Sequence, residues 1–480
     1  MNSSNYWWGP NVPRHFVADA NGDARADLVA ITPNGDLWVA VSTGTSFAPT
    51  AVWAGATVFS AANGWFNTDF WPRVLAADVT GDGKVDVVGV ANNGDLWIAE
   101  STGSAFKAPH NVAASAFATP AYFSRGAEPN YYQNRMWVGD VNGDGKSDIV
   151  GISTTSTISV SLATGSGDSA AFAPTAVWRA TSVFNQGLDW FNITSKPRVW
   201  LADVTGDGAR DFVGIANNGD VWVSESLPGS SSFAASHIAG ASNLRTTSNA
   251  STNFFDVSSA GRVWVTDVTG DGKADVVAIA PAGVGDGDIW LERASASAGV
   301  ASFTERVALR DSVFKSANGW FNGRDVFRTW VADVTGDGRA DFVGVAFNGD
   351  VWVARSASEV ASATAPVAAR GTRDFFQPSI RTSSSIFNTT DWFLYSGLDK
   401  GGNVISADVT GDGAEDLLGF AIAVPATEGT VYWHMPVPTA VTGMTDLTKQ
   451  QVDSGQPQTV AAHFSRSVDA STIVSGALRV

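Results

Sequence analysis

Short apolar runs recur along the whole chain, and glycine-rich polar segments separate them. One such run is R-V-W-L-A at residues 198–202, and another, D-F-V-G-I-A, begins at Asp211. Both have the β-branched and aromatic bias of buried strands. No segment keeps an apolar period of 3.6 residues, because Gly, Ser, Thr, Asn and Asp interrupt it. The pattern predicts an all-β protein built from many short strands.

An acidic nine-residue pattern, D-x-T/N-G-D-G/A-x-x-D, lies between two apolar runs each time it occurs. We number its positions one to nine, so that aspartates occupy positions one, five and nine. Successive copies start 59 to 75 residues apart, by subtraction of their start positions. Such regular self-similarity indicates a repeat architecture. The seven copies begin at Asp19, Asp78, Asp140, Asp203, Asp267, Asp333 and Asp408.

Each repeat carries the signals of four strands. An N-G-D turn, as at residues 34–36 and 218–220, follows the second apolar run, and Asn-Gly supplies the positive φ angles of a tight hairpin. A third strand starts after the turn, and a fourth starts near a phenylalanine in F-A-P-T-A-V-W, which occurs identically at 47–53 and 172–178. Four antiparallel strands repeated radially describe a propeller blade. We therefore predict a seven-bladed β-propeller of four-stranded antiparallel blades over residues 1–442.

Both ends of the repeat region bear on how the ring closes. Only 18 residues precede Asp19, which is too few to donate an outer strand, whereas V-P-T-A-V at 437–441 resembles the fourth-strand sequence. We expect the last blade to be completed by its own C-terminal strand and the ring to close by side-chain packing. Residues 443–480 do not fit the repeat.

The acidic pattern, called the acidic loop below, offers oxygen atoms as ligands. Carboxylates at positions one, five and nine, a side-chain oxygen at three and a backbone carbonyl at seven form an all-oxygen cage, which suits Ca²⁺ better than Mg²⁺. The alternative is that Asp and Gly merely make turns at hairpin ends. Seven copies that keep all three aspartates favour the cation, because crowded carboxylates repel one another without it.

We therefore predict up to seven Ca²⁺ ions. The first loop has Ala24 where the others have glycine, so we expect it to be the weakest site. The predicted ligands are Asp19, Asn21, Asp23, Arg25 and Asp27; Asp78, Thr80, Asp82, Lys84 and Asp86; Asp140, Asn142, Asp144, Lys146 and Asp148; Asp203, Thr205, Asp207, Ala209 and Asp211; Asp267, Thr269, Asp271, Lys273 and Asp275; Asp333, Thr335, Asp337, Arg339 and Asp341; and Asp408, Thr410, Asp412, Ala414 and Asp416.

The charge balance supports bound cations. Seven loops with three aspartates each hold 21 of the 47 acidic residues, and seven divalent ions would change the formal net charge from -17 to -3. The acidic surplus argues against a nucleic-acid partner, which clustered Lys and Arg would bind. The chain has no cysteine, so disulfides and thiolate sites are excluded. No apolar run approaches the length of a membrane span and no signal peptide is readable, so we expect no membrane insertion.

The D-V-T-G-D-G-x-x-D loops between apolar strands resemble the FG-GAP or VCBS repeat. That repeat occurs in integrin α-subunit propellers, in calcium-containing propeller lectins of the Psathyrella type and in bacterial surface and toxin proteins. The resemblance covers roughly residues 1–440 and implies the propeller fold and calcium in the loops. V-A-A-H-F-S-R-S-V-D-A-S-T at 460–472 resembles the strand segment of bacterial immunoglobulin-like domains. Residues 443–480 are therefore interpreted as the start of a truncated domain of this kind; the alternative is a tail that packs on the propeller.

A second repeated element, W-F-N, connects the fourth strand of one repeat to the first strand of the next. Tryptophan beside an amide suits a sugar, whose ring stacks on the indole while the amide holds its hydroxyls. The alternative is that each Trp-Phe pair wedges between blades. The candidate ligand-binding residues are Trp65 and Asn67, Trp190 and Asn192, Trp320 and Asn322, with the variants Trp8 and Trp392.

Three classes of function remain open. A lectin-like or adhesive module that binds a glycan or glycoprotein is the leading hypothesis, and a protein-interaction disc of an adhesin or toxin assembly is the second. A polysaccharide lyase is the third, although the five histidines occupy unrelated repeat positions, so we predict no enzyme and no catalytic residue. Millimolar calcium outside cells favours an extracellular or cell-surface location. A lyase site would be sought first at Arg125, Glu128, Tyr131 and Tyr132.

Overall fold

The structure is a computed structural model. It describes residues 15–357 except for 66–72, 119–120, 123–134, 168, 186–189, 192–197, 248, 250–251, 256–260 and 322–327, together with residues 8–9, 12–13, 375–384, 404–420, 431–434, 441–444 and 462–464.

Six antiparallel four-stranded sheets follow one another along the chain, and each is one blade. Strands β1 (Trp8–Gly9) and β2 (Val12–Pro13) pair ahead of them. Blade 1 contains β3 (His15–Ala18), β4 (Asp27–Ile31), β5 (Leu37–Ala40) and β6 (Ala51–Ala54); blade 2 contains β7 (Val74–Ala77), β8 (Asp86–Val90), β9 (Asp95–Ala99) and β10 (His110–Ala114); and blade 3 contains β11 (Met136–Gly139), β12 (Asp148–Ile152), β13 (Ile158–Ser161) and β14 (Ala176–Arg179).

Blades 4 to 6 repeat the order, with additions in blades 4 and 5. Blade 4 contains β15 (Val199–Ala202), β16 (Asp211–Ile215), β17 (Asp220–Ser224) and β20 (His237–Ala241), with the small hairpin β18 (Ser226–Leu227) and β19 (Ser232–Phe233) before its last strand. Blade 5 contains β21 (Val263–Thr266), β22 (Asp275–Ile279), β23 (Ile289–Ser297) and β24 (Val300–Leu309), with 3-10 turns at Ala282–Val284 and Ser316–Asn318; blade 6 contains β25 (Thr329–Ala332), β26 (Asp341–Val345), β27 (Asp350–Ala354) and β28 (Ile380–Ser384).

The seventh repeat differs from the other six. Its described residues form a three-stranded sheet of β29 (Val404–Ala407), β30 (Asp416–Phe420) and β31 (Val431–His434). Over the residues that the structure describes, the predicted count of seven four-stranded blades is therefore corrected to six. The strand β32 (Val441–Met444), which begins inside the segment expected to complete this blade, pairs instead with β33 (Ala462–Phe464).

The second strand of each blade is the centre of the core. Strands β4, β8, β12, β16, β22 and β26 are buried at all five positions, since a neighbouring blade covers each of their faces. Their sequences are correspondingly apolar on both faces, as in D-F-V-G-I. Blades pack through these faces, so the core consists of apolar clusters between neighbouring blades.

The ring is closed by backbone bonds between consecutive acidic loops. In every repeat the amide of position eight donates to the position-one carbonyl of the preceding loop, at 2.7 to 2.9 Å. The last of these bonds runs from Ala26 to Asp408, so repeat seven is joined to repeat one. Leu28 and Ala40 of blade 1 also pack against Val409 and Leu418, which is the side-chain closure expected from the sequence.

Strand direction gives the molecule two faces. The acidic loops and the hairpins between third and fourth strands lie at one end of the blades, here called the loop face. The N-G-D turns and the connections between repeats lie at the other end, the turn face, where the amide of Thr57 donates to Gly35. Within the ranges that the structure describes, no helix has the length and hydropathy needed to cross a membrane.

Candidate functional site

The position-one aspartate organises each acidic loop from inside. In the second loop, Asp78 Oδ1 accepts from the amide of Gly81 at 2.6 Å and Oδ2 accepts from Gly83 at 2.8 Å. Both glycines have positive φ, +74° and +82°, which turns their amides toward the carboxylate. The same two bonds recur in all seven loops.

The position-nine aspartate ties the loop to the blade. Asp86 is fully buried, and its two carboxylate oxygens accept from the amides of Val79, at 3.1 Å, and Ser101, at 2.9 Å. Burial, opposed by these amides and reinforced by the loop's other carboxylates, raises its pKa to about 7. The same causes raise the pKa of Asp27 to about 6, of Asp148, Asp275 and Asp341 to about 7, and of Asp211 and Asp416 to about 8.

The position-five aspartate pairs with position seven of its own loop wherever that residue is basic. Lys84 Nζ lies 2.5 Å from Asp82 Oδ2, and Arg25 lies 2.6 Å from Asp23. Lys146, Lys273 and Arg339 make the equivalent pairs at 3.5, 3.3 and 2.5 Å. In the fourth and seventh loops position seven is alanine.

The acidic loops contain the donor set of a hard divalent cation without forming an assembled cage. Carboxylate, hydroxyl or amide, and carbonyl oxygens all belong to one nine-residue turn, as Ca²⁺ requires. Across the described ranges, however, no group of three or more His, Cys, Asp or Glu side chains is gathered so that it could hold a metal ion. The chemistry of the donors fits the ion, and the predicted coordination stays a prediction.

The acidic loops also fasten neighbouring blades. The Ser101 hydroxyl, in the hairpin of blade 2, donates to the Ala20 carbonyl in the first loop at 2.5 Å. The aliphatic stem of Lys84 covers Gly22 of that loop, where an added Cβ would lie 3.2 Å from Lys84 Cγ. Each loop therefore contributes to the interface between two repeats, whether or not an ion is bound.

The tryptophans proposed as sugar platforms are buried. Trp65, Trp190 and Trp320 are 5, 3 and 3% exposed, so they lack an exposed ring face. Trp190 meets Phe184 edge-on at 5.0 Å, and an added Cβ on Gly214 would lie 2.7 Å from it. Their burial favours the wedge interpretation over a sugar-stacking role. Asn67, Asn192, Asn322 and Trp392 lie outside the described residues, and only the backbone of Trp8 is described.

Five buried arginines complete these wedges, and sequence reasoning did not single them out. Arg198 is 1% exposed, stacks over Trp190 at 5.5 Å and donates to the Ile215 carbonyl at 3.0 Å. A signal was available, since an arginine stands five residues before the first aspartate of six repeats. The buried examples are Arg73, Arg135, Arg198, Arg262 and Arg328.

The third-blade insertion proposed as a catalytic site lies outside the described residues. Arg125, Glu128, Tyr131 and Tyr132 all belong to the segment 123–134. The prediction that the chain is not an enzyme therefore stays a prediction.

Blade 5 carries a hairpin that no other described blade matches in length. Its last two strands have nine and ten residues, and they pair from Ile289–Leu309 to Ser297–Val300. The pairing of β23 with β22, in contrast, extends only from Ile289 to Glu292. Residues 293–297 and 300–304, here called the blade 5 ribbon, therefore extend beyond the sheet on the loop face. A cavity of about 330 Å³ lies beside the ribbon and is lined by Asp271, Arg293, Ala294, Ser295 and Thr304.

Comparison with known proteins places the repeat in a family. Residues 19–89 match the FG-GAP-like repeat. No curated protein matches the chain.

The solved structures that match this chain are remote in sequence. The crystal structure of BBS1N in complex with ARL6DN is 11% identical, with 90% of this chain and 94% of that chain covered at a TM-score of 0.40. AofleA from Arthrobotrys oligospora is 10% identical, with 71% and 82% covered and a TM-score of 0.33. TcdB2-TccC3 is 14% identical, with 86% and 17% covered and a TM-score of 0.30. The repeat match at residues 19–89 and the series of antiparallel blades together support an FG-GAP repeat β-propeller.

Proposed function

We propose that this propeller is a cation-stabilised binding module whose partner is a protein, and that the partner adds an extended segment to the blade 5 ribbon. The observation that carries the proposal is the edge of β23 beyond Glu292: the pairing with β22 stops there, and among the described residues only β24 pairs with the rest of β23. Open strand edges are templates for another strand.

The orientation of the ribbon makes this edge usable. The amide of Ala294 points away from β24 and donates to Asp275 Oδ1 at 2.8 Å. Because backbone groups alternate along a strand, the amide and carbonyl of Ala296 point to the same side as the Ala294 amide, where no strand in the described part of the chain pairs with them. Ala296 and Val300 are exposed, with Val300 at 53%. The adjoining cavity offers Arg293 and two hydroxyl side chains to the residues of an incoming segment.

Calcium is the stabilising ion of this proposal. Support comes from the oxygen donors of all seven loops and from the place of these loops at every contact between consecutive repeats. The affinities of extracellular calcium modules, at about 10⁻⁴ to 10⁻³ M, suit an extracellular or cell-surface location, which belongs to the same proposal.

Carbohydrate binding is the weaker candidate. Its main support was the W-F-N element, whose described tryptophans are covered by phenylalanine and arginine side chains. A glycan site would have to use other residues.

Two variants at one position test the protein-partner proposal. Ala296→Pro removes the edge N–H without removing a β23–β24 bond, whereas Ala296→Val adds bulk and keeps that N–H. We expect a protein captured from extracts of the source organism by the unmodified chain and by A296V to be lost with A296P. Equal capture by all three chains would overturn the assignment of the edge. A glycan array probed with the same three proteins would, if positive for each, replace the protein partner by a carbohydrate.

A further inference from the structure

Five of the seven acidic loops hold a positive charge of their own against position five. Lys84 and Arg339 reach Asp82 and Asp337 at 2.5 Å, and Arg25 reaches Asp23 at 2.6 Å. Position five is also one of the carboxylates that a bound cation needs. In these loops an internal cation therefore occupies a ligand of the proposed ion.

Packing against the preceding loop holds these side chains in place. An added Cβ would lie 2.7 Å from Arg339 Cγ at Gly270 and 2.9 Å from Lys273 Cγ at Gly206. The side chain of Lys84 is 17% exposed and that of its partner Asp82 only 12%. Packing already restricts the rotamers of the basic side chain, so forming the ion pair costs less side-chain entropy than it does for a fully exposed pair. The packed pair therefore competes more strongly with a bound ion.

The fourth and seventh loops carry alanine at position seven, where the other five carry a basic residue. Ala209 and Ala414 replace the basic residue and are buried at 0 and 3% exposure. Their amides make the usual bonds to Asp207 and Asp412, both at 3.0 Å, so the loop conformation is kept. The backbone carbonyl of position seven, the predicted ligand, is present whichever side chain stands there.

We propose that position seven ranks the loops: those of repeats four and seven take up a divalent ion first, and the tethered Lys or Arg competes with the ion in the other five. The inference rests on the proposed binding of divalent cations by the loops. To admit the ion, the basic group must leave position five, and it then stays within a few ångströms of a like charge. Breaking the pair and bringing a single and a double positive charge together weakens binding by about tenfold per loop.

Calorimetric titration of the chelator-stripped full chain with CaCl₂ tests the ranking. We expect two tight sites and a weaker class about tenfold lower in affinity. Ala209→Lys combined with Ala414→Lys should abolish the tight class. Lys84→Met combined with Lys146→Met, which keeps the stems and removes the charges, should raise the tight class to four sites. Ala209→Met with Ala414→Met is the matched control for size and should keep two tight sites.

The outcomes separate the two proposals. Absence of any Ca²⁺ uptake by the unmodified chain would overturn calcium binding itself, and the ranking with it. Uptake at sites of one affinity, unchanged by the lysine-to-methionine pair, would overturn the ranking alone. Should the alanine-to-lysine chain fail to fold, the lysine-to-methionine pair still decides, because it keeps the packed stems of Lys84 and Lys146 and circular dichroism reports whether its fold is intact.

Discussion

Alanine at position six of the first acidic loop takes a backbone conformation that the other loops give to glycine. Ala24 has φ of +64°, and the equivalent Gly83 has +82°. This region costs an L-residue roughly 1–2 kcal/mol, and part of that cost is offset by the lower entropy of unfolded alanine. The first loop therefore holds local strain in addition to its predicted weak affinity.

Ala24→Gly should stabilise the chelated protein by about 0.5–1 kcal/mol, because glycine adopts this φ without strain. Gly83→Ala is the matched reverse change. Open space surrounds the added Cβ, so the substitution changes only the backbone strain at this positive φ, and it should destabilise the protein by a similar amount. Urea unfolding in EDTA measures both. Equal stability of the two variants would contradict the assignment of strain to these φ angles.

Truncating a wedge tryptophan tests whether it is structural. Trp190→Ala should lower the free energy of unfolding by about 3–5 kcal/mol, since a buried indole is lost and Phe184, Arg198 and the surface over Gly214 lose their contacts. Val177→Ala is the control, because Val177 is 61% exposed. Denaturant unfolding gives both values. A tryptophan variant as stable as the control would contradict a structural role for the Trp190 indole.

The sequence predicted where these residues lie in the repeat but not whether they are buried or exposed. Composition and spacing located W-F-N, but whether an indole is covered depends on residues distant in sequence, such as the glycine on the second strand. The arginine before six of the seven repeats was equally visible in the sequence, but a charged residue at the start of a strand is ordinarily exposed to solvent, so its burial was not predicted. Burial of Arg198 becomes intelligible only with Trp190 and the Ile215 carbonyl in place.

Strands β23 and β24 place two glutamates opposite each other. Glu292 lies opposite Glu305 and is 1% exposed. Burial, and then the nearby Glu305, raises the pKa of Glu292 to about 9. Glu305 in turn accepts from the Asn243 amide at 2.6 Å and from Asn243 Nδ2 at 2.8 Å, which links blades 4 and 5. The protonated form of Glu292 is thus the one that this interface accommodates.

Glu292 should make stability fall as pH rises. Its folded pKa, about 9, exceeds its usual value of 4.5, so the native state holds a proton that the unfolded chain releases. The contribution is complete below the unfolded pKa and is lost as pH rises through the folded one. Glu292→Gln, which cannot ionise, should gain stability relative to the unmodified chain between pH 5 and 9. Urea unfolding at both pH values measures this, and a constant difference would contradict the assignment.

Strand identity was predictable at this scale, whereas strand length was not. Apolar runs predicted the second strands and Asn-Gly predicted the turns. Both are found where predicted, as in β16 and residues 216–220. The blade 5 ribbon rests on A-S-A-S and a Val-Ala-Ser segment, small residues with little strand preference of their own. Its length is fixed by packing on blade 4, where the Ala301 amide donates to Glu225 at 3.0 Å.

The whole molecule is a ring whose repeat number and sheet number differ. The seven acidic loops close on one another through backbone bonds, which the sequence did not predict, while the described residues form six four-stranded sheets and one of three strands. Each acidic loop is specified by nine consecutive residues, so it can be predicted from the sequence. Completion of the last blade depends on which strand pairs with β31, and edge pairing between weak strands is decided by tertiary context.

Ion removal acts on the ring as a unit, because every acidic loop belongs to two repeats. Without cations, 21 aspartates are concentrated on the loop face, and their mutual repulsion opposes the bonds that join Ala26 to Asp408 and its six counterparts. A site held at ten times its dissociation constant contributes about 1.4 kcal/mol to stability. Several such sites make the stabilisation large, and chelation should therefore lower the melting temperature by many degrees.

Differential scanning calorimetry in 1 mM CaCl₂, in excess EDTA, and in EDTA followed by excess CaCl₂ measures this effect and its reversal. Recovery of the melt in the third sample is the control for irreversible damage by the chelator. Because neighbouring blades share their loops, the transition should move as one peak; a split peak would mean that the loops stabilise blades separately. An identical melt in all three samples would contradict the calcium proposal and leave the loops as hydrogen-bonded fasteners alone.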